Sequence, residues 1–177
     1  MILLEGVTKT FKRTTVLDEL SLEIDTGDRI ALIGANGAGK TTLIRCLLGE
    51  YQFEGNITLN GANPRSERKQ VLSQIGFVPQ LPPPLKMPVE QLLSFSAGVC
   101  GCSSHEMEAV AAQLGLELAP LAKRPFEKLS GGQKQKLLIA IALGRPTHLL
   151  IMDEPAANLD PEARHTLFSI LEQRQDE

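Results

Sequence analysis

The chain has 177 residues, 42% hydrophobic and 22% charged, which suits one domain with a core of its own. A net charge of −3 leaves no basic surface for nucleic acid or anionic lipid, and three cysteines do not make a secreted disulfide framework. The N-terminus MILLEGVTKTFK lacks a signal peptide's features and the longest apolar run, Leu137 to Leu143, is too short to span a bilayer, so a soluble cytoplasmic chain is expected.

In chain order, Val16, Leu17, Leu20, Leu22 and Ile24 partly alternate with polar residues, which predicts a strand ending at the turn Asp25-Thr26-Gly27-Asp28. Arg29-Ile30-Ala31-Leu32-Ile33 is a short apolar run and predicts a buried strand that stops at Gly34. Lys40 to Leu48 has helical character and ends at Gly49, while Gly55 to Asn60 and Ile75 to Val78 read as strands. Three prolines from Pro82 open a change of composition. Val89 to Ala119 then reads as two helices around a Gly/Ser-rich break at 101–104, a helical insertion spanning 81–128. After Pro125 come a helix Gly131 to Leu143, closed by Gly144 and Pro146, a strand Leu149 to Met152 and a helix Pro161 to Gln173. The alternation is that of an α/β fold.

Three of these junctions carry chemistry. Gly34-Ala35-Asn36-Gly37-Ala38-Gly39-Lys40-Thr41 matches G-x-x-x-x-G-K-[ST] between an apolar run and a helix, the setting of a phosphate loop. Its glycines let backbone N–H groups turn inward around phosphates, and the helix N-terminus adds partial positive charge. Lys40 then reaches the β- and γ-phosphates and Thr41 offers a hydroxyl to Mg²⁺, so ATP and Mg²⁺ are the expected ligands. Gly34, Asn36, Gly37, Ala38, Gly39, Lys40, Thr41 and Thr42 are the candidate nucleotide-binding residues. Ser130 and Gln133 have the spacing of a capping box, and the two glycines between them leave amides uncovered at a positive helix end. Asp153 and Glu154 follow an apolar strand as adjacent carboxylates.

Leu129-Ser130-Gly131-Gly132-Gln133 resembles the signature sequence of ABC ATPases, and Leu149-Leu150-Ile151-Met152-Asp153-Glu154-Pro155 resembles their Walker B strand. The resemblance runs over practically the whole chain. It implies a single ABC ATPase domain, 1–177, with a P-loop NTPase core, an N-terminal antiparallel β region and an α-helical insertion. The parts are 1–80, 81–128 and 129–177. It implies that Asp153, Thr41 and Gln80 serve Mg²⁺, and that Glu154 is the general base, with Gln80 as the Q-loop glutamine beside it. By the same resemblance Phe11 stacks on adenine, Asn158-Leu159-Asp160 is the D-loop, and Ser130, Gly131, Gly132 and Gln133 engage the ATP of a partner subunit. A Phe in a strand also suits a core, and Asp160 also suits a helix cap.

The implied protein is the cytoplasmic motor subunit of a membrane transporter. It works as an ATP-sandwich dimer, homodimeric or with a paired ATPase subunit, and lies on the inner face of the membrane through permease subunits. Alternatives are a non-hydrolysing nucleotide-binding regulator and a non-transport ABC ATPase. One departure from the family is the switch histidine on a later central strand: His105, His148 and His165 do not match it. A chain without that strand is expected to bind ATP weakly, hydrolyse it poorly and tend to aggregate. Cys100, Cys102 and His105 lie in the break of the insertion, either as a plain loop or as soft-metal ligands.

Overall fold

The computed structural model describes residues 1–174; the expected domain end at Glu177 lies outside the described residues. The chain divides into two compact units, Met1–Gln74 and the part from Ile75 onward.

The first unit is built on a three-stranded antiparallel sheet of β1 (Ile2–Phe11), β2 (Thr14–Ile24) and β3 (Glu54–Leu59), in the order β2-β1-β3. Lys12, at φ 55°, makes the tight reversal between the first two strands and brings Phe11 opposite Thr14. Simple alternation fails in β1, where Ile2, Leu4 and Val7 are all buried. The pairing register shifts between Leu4 and Val7, around Gly6 at φ 57°, and this extra residue returns Val7 to the inner face. Gly55, at φ 86°, has no room for a Cβ beside the Gly6 carbonyl, so β3 approaches β1 more closely than a side chain would allow. Helix α1 (Lys40–Leu47) buries Leu43, Ile44 and Cys46 and is capped at its C-terminus by Leu48, with Gly49 beyond it at φ 67°. A short helix α2 (Arg68–Ser73) buries Val71.

The expected buried strand at residues 29–33 does not form. Those residues join neither sheet, and Ile30, Leu32 and Ile33 are 46%, 43% and 92% exposed. Apolar composition alone does not make a strand: neighbouring backbone must take up its N–H and C=O groups in a ladder, and no described strand does so here.

The second unit pairs β4 (Ile75–Val78) with β5 (Leu149–Met152) in parallel and packs four helices with them. These are α3 (Val89–Cys100), α4 (Ser104–Gln113), α5 (Gly131–Leu143) and α6 (Pro161–Gln173). Phe126, Met107, Leu137, Ile139, Leu143 and Leu167 are wholly enclosed in its core. A Cβ on Gly76 would stand 2.8 Å from the Ala142 carbonyl oxygen, so α5 lies directly on β4. Helix α4 stops short of the expected Ala119, because Gly115 at φ 69° closes it and its amide bonds the Ala112 carbonyl. Ser103 caps the start of α4 by accepting from the His105 amide at 3.2 Å.

Candidate nucleotide site

The phosphate loop belongs to the first unit. Gly37 and Gly39 hold φ 86° and 96°, which favours glycine at both, and a Cβ on Gly39 would be crowded as well, 3.1 Å from both the Val16 carbonyl oxygen and Leu17. The Ala38 amide bonds the Ala35 carbonyl at 3.1 Å, closing the turn, and Gly34 to Ala38 are all exposed. Helix α1 begins immediately after, with no side-chain cap and no acidic residue in its first turn. Uncapped amides and an unopposed positive end are what a polyphosphate needs. Lys40 folds back across the loop, its ammonium donating to the carbonyls of Gly34 at 2.5 Å and Ala35 at 3.1 Å. Thr41 is exposed and Thr42 half-buried.

Phe11 sits on the surface, 39% exposed, rather than in the core. Tyr51 meets it edge-on, with centroids 5.3 Å apart, and the Lys9 ammonium lies 4.7 Å from the Phe11 ring centre. Tyr51 is in turn fixed by a 2.7 Å hydrogen bond from Arg45. The aromatic face expected to meet adenine therefore has a neighbour that sequence reading did not anticipate, since Tyr51 is forty residues away in the chain.

The carboxylates belong to the second unit. The parallel register pairs Val78 with Met152, so the residues that follow both strands emerge at the same edge. The Asp153 amide extends the ladder to the Val78 carbonyl at 2.9 Å, and one residue further Gln80 Nε2 donates to Glu154 Oε2 at 3.0 Å. Two candidates 74 positions apart are thus carried to the same edge by strand register, and their side chains meet there. Glu154 takes φ 50°, a left-handed conformation uncommon outside glycine, asparagine and aspartate.

Helix α5 opens on the expected capping box. The Ser130 hydroxyl accepts from the Gln133 amide at 3.2 Å, and the Gln133 side chain accepts from the Ser130 amide at 3.0 Å. A Cβ on Gly132 would come within 3.1 Å of the Asn158 carbonyl oxygen, so this glycine also admits the chain's own Asn158 segment. Asp160 caps α6 through the Ala163 amide at 2.8 Å and pairs with Lys136 at 2.7 Å. The Lys136 hydrogen bond, reinforced by the Ala163 amide, holds the Asp160 carboxyl below its ordinary range.

Cys100 and Cys102 flank Gly101 at φ 66° between α3 and α4, and burial pushes the Cys100 thiol up. Among the described residues no three His, Cys, Asp or Glu side chains gather as a metal site. His105, His148 and His165 are all exposed. No motif in the sequence marks Lys136, or Gln135, which is buried and donates Nε2 to the Pro155 carbonyl at 3.0 Å. The available signal was Gln135 sharing a helical face with Ile139 and Ala142, a polar residue in an apolar stripe.

Known proteins resemble this chain in sequence and in fold. The sequence pattern of the ABC transporter family matches residues 17–157, most of the chain. The chain is 37% identical over 183 residues to the energy-coupling factor transporter ATP-binding protein EcfA1 of Thermotoga maritima, covering 99% of this chain and 69% of that protein. It is 38% identical over 175 residues to the Nod factor export ATP-binding protein I of Bradyrhizobium diazoefficiens, covering 95% of this chain and 56% of that one. A solved ATP-binding subunit of an ABC transporter superposes with a TM-score of 0.88 at 28% identity, over 99% of this chain and 75% of that chain. The chain belongs to the ABC transporter family, as an ATP-binding domain. ATP-binding subunits of that family are transport-coupled ATPases that dimerise and work with membrane permease components. No helix among the described residues is long and apolar enough to cross a membrane.

Proposed function

We propose that the chain is a single ABC ATPase domain whose residues bind ATP and catalyse its hydrolysis to drive a permease. Lys40 and the loop amides hold the phosphates, and Phe11 takes the adenine. Glu154 accepts a proton from the attacking water; the water oxygen bonds the γ-phosphorus as the bond to the β-bridging oxygen breaks, leaving ADP and phosphate. Gln80 aims the Glu154 carboxylate. Thr41, Asp153 and Gln80 offer the hard oxygen donors that suit Mg²⁺, which would offset charge on the phosphates. Ser130, Gly131, Gly132 and Gln133 engage the nucleotide of a paired subunit, either a second copy or a homologous ATPase, and the permease holds the pair at the inner face of the membrane.

The observation that carries this reading is the 3.0 Å contact of Gln80 with Glu154 at the aligned ends of β4 and β5. A glutamate in a costly backbone conformation, held by an amide, suits a general base better than a decayed site. The test is Glu154→Gln in the full native chain. Hydrolysis should fall by about 10²- to 10⁴-fold while ATP binding is kept, and light scattering should find an ATP-dependent dimer. A variant that turns over ATP at the parental rate would refute the base assignment; one that stays monomeric with ATP would refute the sandwich.

A further inference from the structure

Helix α5 meets the chain that follows Glu154 at three points and holds it at two of them. Gln135 donates Nε2 to the Pro155 carbonyl at 3.0 Å, Gly132 makes room for Asn158, and Lys136 pairs with Asp160 at 2.7 Å. The first of these is out of place energetically. Gln135 is 1% exposed and is the one buried polar side chain among the described residues. Its Oε1 finds no hydrogen-bond partner among the described residues. An apolar side chain of the same shape would avoid that desolvation cost, so packing does not explain an amide here.

What the amide does hold is the turn carrying Glu154. Pro155 has no N–H, and its carbonyl is gripped by Gln135 immediately after a glutamate at φ 50°. Such a backbone conformation persists only where the surroundings enforce it. We propose that Gln135 is a positioning residue for Glu154: by fixing the carbonyl of the next residue it keeps the turn left-handed and the carboxylate against Gln80. The proposal rests on the reading of Glu154 as the general base.

The test uses the full native chain with its transporter partners. Gln135→Met fills the same space without a donor, and Gln135→Asn keeps an amide but falls short of Pro155. For both, kcat should drop about tenfold or more while KM and the affinity for a fluorescent ATP analogue stay within about twofold of the parent. In a Glu154→Gln background, Gln135→Met should cause almost no further loss, since the group it positions is already gone. A kcat within about twofold of the parent for Gln135→Met, beside a dead Glu154→Gln, overturns the positioning role alone. Parental hydrolysis by Glu154→Gln overturns the base reading and this proposal together. Loss of KM, stability and kcat in parallel, or failure of both variants to fold, makes Gln135 a structural residue and overturns the proposal.

Discussion

Lys40 and Asp160 show how single charged groups are held by local geometry. The Lys40 ammonium bonds two carbonyls of its own loop, so a nucleotide's phosphates must win it from them. They do so because a charge-assisted bond to phosphate is stronger than one to a neutral carbonyl. Lys40→Ala removes two or more such bonds. At about 1.5–3 kcal/mol each, titration calorimetry should find ATP affinity weakened by about 100-fold or more. Asp160 is a matter of pH. Its folded carboxyl titrates below the unfolded one, chiefly through the Lys136 hydrogen bond, so the pair stabilises fully above the ordinary Asp range. That contribution is lost as pH falls through the lowered value. Urea unfolding of parent and Asp160→Asn should therefore differ at neutral pH and converge in acid.

At the scale of elements, the clearest boundaries are those set by side chains within the element itself. Helix α5 starts at Gly131 because Ser130 and Gln133 satisfy its first amides reciprocally, and this spacing is visible in the sequence. Ser130→Ala should lower stability by about 0.5–2 kcal/mol in denaturant unfolding, separately from any loss of nucleotide contact. Helix α6 is legible for the same reason, with Asp160 before Pro161. Residues 29–33 are the counterexample: their composition is that of a strand, but a strand is completed by hydrogen bonds from other parts of the chain. The bulge at Gly6 and the left-handed turn at Glu154 also escape sequence reading, because pairing register and close approach create them. In the candidate site, the phosphate loop and the signature are local patterns and can be read directly. The Gln80–Glu154 contact arises from parallel register, and the Gln135–Pro155 contact from helix packing; neither leaves a contiguous motif.

For the molecule as a whole, each unit has its own core, and the two kinds of site chemistry are divided between them. The phosphate loop is in the first, the carboxylates and signature in the second. Strength of protection should be uneven within the first unit. The amides of β1 lie in a ladder with strands on both sides, whereas Ile30 to Ile33 join none. Hydrogen exchange should therefore label Ile30 to Ile33 well before Ile2 to Leu4, with the order reversed only if 29–33 is paired in solution.

The φ of Glu154 has an evolutionary consequence. Left-handed backbone costs a residue with a Cβ roughly 1–2 kcal/mol, and asparagine, aspartate or glycine meets that demand with less strain. A search for thermostable variants would be drawn to those replacements at position 154, each of which shortens or deletes the proposed base. Selection for stability and selection for turnover thus pull in opposite directions at this position. A lineage freed from the need to hydrolyse ATP would be expected to lose its glutamate early and become sturdier for it.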